Sequence, residues 1–310
     1  MRPEIKQTIE ELSRLDLSAY PYKDTKRLIG QLGKFGCITV TFHKGKQIMR
    51  ARPNSNGETF FSKCQLTYKP QQFNKTFQRA STPNKTMFYG CVIPEKLEVG
   101  DLNNSRYTVV LEALRWLRDK VSVGFQKITF GKWIVTREIN LIAIVQHENF
   151  YNKSSYTKEL VDAFKSYVKN YPELEEETLF ISDYFSDQFA KEDANDDSDY
   201  NYLLSACLSE AIVNKGFDGV LYPSVRDGGK GFNVAIKPEI ADTCLELVAA
   251  GECYIYKNRS KIVVDNYTVV ELKENQSNFE LLPIDPRYRA GEVECLKEIE
   301  ITSINDLPKY

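Results

Sequence analysis

Residues 216–236 read GFDGVLYPSVRDGGKGFNVAI, and their punctuation sets the local fold. Just upstream, Leu204, Leu208, Ala211 and Ile212 recur at helical spacing. Lys215-Gly216 ends that helix, because glycine takes the left-handed C-cap conformation at no steric cost. Val220 to Tyr222 is then a short strand, Arg226 to Gly231 a glycine-rich loop, and Phe232 to Ile236 a second strand. Helix and strands therefore alternate within one short stretch.

The same alternation extends outward. Ile5, Ile9, Leu12 and Leu15 predict an opening helix, broken by Tyr20-Pro21-Tyr22, with a second short helix over Thr25 to Leu32. This segment reads as a helical cap. Cys37 to Phe42 and Gln47 to Ala51 read as strands joined by a turn at residues 43–46. Residues 52–83 are polar with scattered aromatics, and a loop of that length in a compact domain is usually functional. Thr86 to Ile93 is a buried strand. Tyr107 to Asp119 is a helix with Val110, Leu114 and Leu117 on its apolar face. Val121 to Phe130 and Lys132 to Val145 are strands, with Gly131 a bulge or turn between them. Ser155 caps a helix that buries Leu160, Val161, Phe164 and Val168. Residues 172–201 carry Glu173, Glu175, Glu176, Glu177, Asp193, Asp196, Asp197 and Asp199, and read as a solvated linker or loop. Cys253 to Ile301 alternates in short β-like stretches.

Bulk composition excludes several function classes. The 310 residues are 42% hydrophobic and 27% charged, enough to bury a real core. Lys plus Arg is 41 against 43 Asp plus Glu, a net charge of -2 that offers no global pull toward phosphate backbones or anionic membranes. Seven widely spaced cysteines contain no C-x-x-C pair, which argues for a reducing, cytoplasmic setting and against a disulfide framework. Only His43 and His147 occur, so neither a histidine-rich metal centre nor a Ser-His-Asp triad is expected. The N-terminus lacks a signal-peptide core, and no stretch approaches the roughly 18 apolar residues of a membrane span.

Three segments together resemble the bacterial RES-domain family, named for an arginine, a glutamate and a serine. Met49-Arg50-Ala51-Arg52-Pro53 resembles the strand that delivers the arginine. Phe77-Gln78-Arg79-Ala80-Ser81-Thr82-Pro83, running into Met87-Phe88-Tyr89-Gly90, is similar to a Gly-Arg-x-Asn stretch, a Pro-Gly turn and an apolar strand with a tyrosine. Leu208-Ser209-Glu210, then residues 216–224 and Gly228 to Val234, look like the family's helix, G-[FY]-D-G-[IV] turn, Tyr-Pro-Ser and following loop with its asparagine. The departures are Gln78, Ser81 and Asn84 where the family pattern has Gly, Asn and Gly. Val109-Val110-Leu111-Glu112-Ala113-Leu114 best matches the helix of the family's glutamate.

The resemblance implies an α/β (α+β) fold akin to ADP-ribosyltransferases, with a split central β-sheet flanked by helices. It would comprise a helical extension over residues 1–45, a catalytic domain over 46–240, and a β-rich C-terminal extension over 241–310. It implies an enzyme that cleaves NAD at the nicotinamide–ribose bond, toxin-like, with NAD as substrate and no metal, and a possible antitoxin partner. Neither nucleic acid nor membrane is an expected partner. Such cleavage passes through an oxocarbenium-like transition state, which calls for a carboxylate near the ribose and a guanidinium fork for phosphate. By resemblance the catalytic residues are Arg50, Glu112 and Ser224. The substrate-binding residues are Arg52, Arg79, Tyr89, Tyr222 and Asn233.

Each residue also has a plainer reading. Arg50 and Arg52, two apart on a strand, point the same way and suit an exposed face. Arg79 suits a solvated loop, Tyr89 a core position and Glu112 the polar side of a helix. Ser224 suits a turn. Protein ADP-ribosylation, a decayed binding module and a single-strand nucleic-acid binder using Lys69, Lys75, Arg79 and Lys85 with Tyr68, Phe73 and Phe77 are the alternatives. The acidic stretch and the net charge speak against the last.

Overall fold

The structure, a computed structural model, describes residues 1–55, 57–93, 101–192 and 198–310. Its helices are α1 (Pro3–Arg14), α2 (Tyr22–Gln31), α3 (Lys63–Leu66), α4 (Asp101–Ala113), α5 (Ser155–Val168), α6 (Pro172–Ala190), α7 (Leu203–Asn214), α8 (Pro238–Cys244) and α9 (Gly291–Glu298). Its strands are β1 (Ile38–Phe42), β2 (Gln47–Pro53), β3 (Phe88–Val92), β4 (Val123–Val135), β5 (Ile139–Ala143), β6 (Gly219–Pro223), β7 (Phe232–Ile236), β8 (Leu245–Asn258), β9 (Lys261–Glu271) and β10 (Leu282–Pro283). The architecture is mixed α/β. The chain forms two interleaved units. Unit 1 holds Met1–His43, Tyr68–Tyr89 and Glu138–Thr243, and unit 2 holds Lys44–Thr67, Gly90–Arg137 and Cys244–Tyr310.

In unit 1, β1 pairs antiparallel with β5, β5 parallel with β6, and β6 antiparallel with β7. The parallel β5–β6 pair needs a long crossover, which α5, α6 and α7 supply. Ile5, Ile9 and Leu12 of α1, Leu28 and Ile29 of α2, Ile181, Phe185 and Phe189 of α6, and Leu204 and Leu208 of α7 share one core with Ile142, Ile144, Val220 and Ala235. Each such Val, Leu, Ile or Phe side chain contributes about 1.5–3 kcal/mol over an exposed one. The opening helices are therefore built into this core rather than forming a separate cap. The 46–240 stretch expected as one domain is likewise shared between both units.

In unit 2 the ladders are antiparallel: β2 with β3 and β4, β4 with β8, β8 with β9, and β9 with β10. The strands before and after residues 43–46 thus serve separate ladders and do not form a hairpin. β4 runs unbroken through Gly131, and its register with β8 shifts between Lys132 and Trp133. A Cβ at Gly131 would lie 3.0 Å from Leu247 and 3.1 Å from Trp133 Nε1, so close packing explains this glycine better than a turn does. α4 starts earlier than its periodicity suggested and stops at Ala113; Leu114 turns extended before a 3-10 turn over Arg115–Arg118. α9 interrupts the β-rich C-terminal stretch. There Cys295, Leu296 and Ile299 pack with Tyr256 and Leu307.

The acidic stretch is the largest correction. Residues 172–190 form the 19-residue helix α6. Pro172 opens it, and Glu173 and Glu175 sit in its first turn, where acidic charge favours the helix dipole. Ile181, Phe185 and Phe189, four apart, hold one buried stripe. Asp193, Asp196 and Asp197 lie outside the described residues. The α5 cap is Ser154, not Ser155: its hydroxyl accepts from Thr157 N at 3.0 Å. All seven cysteines are free thiols. Among the described residues, no helix is long and apolar enough to cross a membrane, and no group of three or more acidic, Cys or His side chains suits a metal.

Candidate functional site

Ser224, Tyr222, Asn233, Tyr89 and Arg79 belong to unit 1; Arg50, Arg52 and Glu112 belong to unit 2. In unit 1 the β6–β7 pair sets Tyr222 directly opposite Asn233, both buried. Ser224 follows β6 and is fully buried. The loop beyond it is closed twice, by Ser224 N donating to Gly231 O at 2.8 Å and Gly229 N donating to Ser224 O at 2.7 Å. Asp227 gathers the loop amides, with Oδ1 accepting from Gly229 N and Lys230 N and Oδ2 from Gly231 N at 2.9–3.1 Å. Two glycines make this hairpin possible. A Cβ at Gly219 would lie 2.0 Å from Ala235 O, and at Gly229 (φ +85°) 2.4 Å from the Phe150 ring. Cross-strand pairing and glycine placement thus give the third motif one rigid form.

The second motif folds around Tyr89. Its hydroxyl accepts from Ala80 N at 3.0 Å and shares a 2.8 Å bond with Ser81 Oγ, which itself accepts from Met87 N at 3.0 Å. Burial pushes the Tyr89 phenol up to about 12, so it stays protonated. Arg79 donates to the carbonyls of Phe189 and Lys191, and its guanidinium lies 5.0 Å from the Tyr202 ring centroid. Tyr222 packs its ring 5.1 Å from that of Phe189 in the unit 1 core. Arg79, Tyr89 and Tyr222 therefore all have structural work inside unit 1.

In unit 2, strand alternation sends Met49 and Ala51 into the apolar cluster with Val109, Val110 and Leu114 of α4. Arg50 and Arg52 point to the other face, as their two-residue spacing requires. There Arg52 Nη1 donates to Gln65 O at 2.8 Å, and its guanidinium lies 4.3 Å from the Phe60 ring centroid. Glu112 is half-buried in the last turn of α4. Its carbonyl accepts from Arg118 Nη2 at 2.9 Å, and Leu111 O accepts from Arg118 Nε at 2.9 Å. The sequence reading grouped Arg50 with Glu112. The structure gives them opposite faces of the unit 2 sheet, because β2 alternation and α4 packing are fixed by the same apolar residues. Arg50 holds a particular position in that sheet. The β3 ladder covers Ile48 and Met49, while the β4 ladder runs through Pro53, so Arg50 is the first residue of β2 beyond the β3 pairing.

No family model and no curated protein matches this chain. The geometry therefore stands on its own residues, and it includes two buried carboxylates given no role by sequence reasoning: Glu210, quoted above only as part of a motif, and Glu252. Glu210 of α7 accepts from Tyr22 Oη at 2.6 Å, Lys26 Nζ at 2.8 Å, Lys85 Nζ at 2.7 Å and Thr82 Oγ1 at 3.2 Å. Burial alone pushes its carboxyl up. Hydrogen bonds from Lys26, Lys85 and Tyr22 overcome that and hold it at about 2. Glu252 of β8 pairs with Lys127 Nζ at 2.9 Å and accepts from Asn54 Nδ2 at 3.3 Å. Their partners lie from 16 to 198 residues away along the chain. No local spacing could have revealed them.

Proposed function

We propose that this chain is a RES-like, NAD-consuming enzyme with an ADP-ribosyltransferase-like fold, cleaving the nicotinamide–ribose bond by hydrolysis or phosphorolysis. The observation that carries the reading is the form of residues 216–236, where Tyr222, Ser224 and Asn233 are held by a hairpin whose loop amides are organised by Asp227. Ser224 and Asn233 are the groups to hold the nicotinamide carboxamide. Arg50, just beyond the end of the β3 ladder, is the guanidinium for the pyrophosphate. Glu112 stabilises positive charge developing on the ribose. The roles of Arg50 and Glu112 rest on the resemblance of residues 49–53 and 109–114; their opposite faces in unit 2 count against a shared contact with one dinucleotide, so each role is tested by its own variant.

A second reading, a binding module that has lost catalysis, is favoured by a specific observation. Arg52, Arg79 and Tyr89 each spend polar groups on the protein itself. One assay separates the two. The purified chain is incubated with NAD, with and without phosphate, and free nicotinamide is followed beside Arg50→Ala and Glu112→Ala. The expected result is release by the wild type and a loss of roughly 100-fold in Glu112→Ala, the size typical of removing a charge-stabilising group. Release that survives Glu112→Ala rejects the mechanism. Absence of release favours the binding module, and release only with an added acceptor protein favours ADP-ribosyl transfer.

A further inference from the structure

We propose that residues 308–310 act as a strap that fixes the corner after α4, so that Tyr310 is a positioning residue for Glu112. The contacts all lie within unit 2. Phe125 N donates to Pro308 O at 2.9 Å, and Tyr310 N donates to Phe125 O at 3.1 Å, adding a short parallel rung to β4 at Lys309. Gly124 permits this approach, since a Cβ there would lie 2.5 Å from the Tyr310 ring and 2.7 Å from Pro308 O. The Tyr310 ring then stacks on Trp116, with centroids 4.4 Å apart and planes 6° from parallel.

Trp116 belongs to the 3-10 turn that follows α4, and that turn is tied back to the helix. Arg118 donates to the carbonyls of Leu111 and Glu112, the last-turn groups that α4 leaves without a helical partner. Trp116 Nε1 donates to Gln126 Oε1 at 2.8 Å, and Ser122 Oγ donates to Trp116 O at 2.6 Å. Lys257, itself buried, donates to Ser122 Oγ at 2.6 Å and to Asp119 O. The corner is thus braced on one side by part-buried polar bonds and on the other by one aromatic ring. That aromatic brace is the removable one, because Tyr310 is 47% exposed. A strap held by two backbone bonds and one stacking contact can open without unfolding the sheet.

The role of Glu112 rests on the function proposed above, so the test reads both. Tyr310→Ala and Tyr310→Phe are compared with wild type by amide hydrogen exchange over residues 109–118, by tryptophan emission with Trp116→Phe as control, and by nicotinamide release from NAD. Tyr310→Ala should raise exchange in that segment and red-shift the Trp116 emission. It should lower turnover about tenfold with KM within twofold, as a small misplacement of a reacting group does. Tyr310→Phe should retain all three properties. Unchanged exchange in Tyr310→Ala overturns the strap. Raised exchange with unchanged turnover overturns the positioning role. If the wild type releases no nicotinamide, the functional reading fails, and the exchange and emission data alone decide the strap.

Discussion

Glu210 and Glu252 are both buried carboxylates, yet they are neutralised in opposite ways. Glu210 meets two ammonium groups that stay largely in water: the Lys26 and Lys85 side chains are 41% and 57% exposed. Glu252 meets Lys127, only 14% exposed, together with Asn54 and Thr268, which are buried themselves. In the first a buried carboxylate meets well-exposed ammonium groups; in the second it meets a mostly buried ammonium and two buried polar side chains. Long lysine stems allow the first, because they lie along apolar surface while their heads remain hydrated. A buried ion whose partner is also buried has no such retreat, and its loss strands the other charge.

The largest effect should follow from breaking the Glu252 cluster. Glu252→Ala removes the carboxylate facing the mostly buried Lys127 ammonium, which keeps Thr59 Oγ1, while Asn54 keeps Glu58 O, at an expected cost of about 3–5 kcal/mol in urea unfolding. A loss no larger than that of Glu210→Ala would mean that the two sites are equivalent. Glu210→Ala should cost less, about 1.5–3 kcal/mol, because Lys26 and Lys85 can turn to water. Its signature is in the pH profile. The folded carboxyl sits at about 2 against an ordinary 4.5, so its stabilisation is full above 4.5 and is lost as pH falls from there toward 2. Glu210→Gln should flatten that acid limb in thermal melts; an unchanged limb would assign acid sensitivity elsewhere. The smallest effect belongs to Lys85→Met, about 0.2–1 kcal/mol, since Lys26 still serves the same oxygen of Glu210.

How much of this was legible in the sequence follows from how local each cause is. The 216–236 hairpin was readable because its signals act within a few residues: a C-cap glycine, a short apolar strand, a glycine loop and another strand. The shared direction of Arg50 and Arg52 followed from strand alternation alone. α6 was misread because acidic residues dominate its composition, while its apolar stripe of Ile181, Phe185 and Phe189 occupies only every fourth position. The opposite faces of Arg50 and Glu112 were not readable, because they depend on which side of β2 the later helix packs. Tyr89, half-buried against the unit 1 core, has a hydroxyl that organises its own turn through Ser81, a link that no spacing in the sequence announces.

The interleaving of the two units bears on the order in which a ribosome can finish them. Every residue of unit 1 has been synthesised once Thr243 is added, whereas the β4 ladder of unit 2 lacks its β8 strand until residues 245–258 appear. During translation β2 and β4 therefore wait with one ladder open, exposing strand edge to neighbouring chains. The late strand closes that edge, so slow decoding after codon 243 would lengthen the interval in which the nascent chain needs a chaperone.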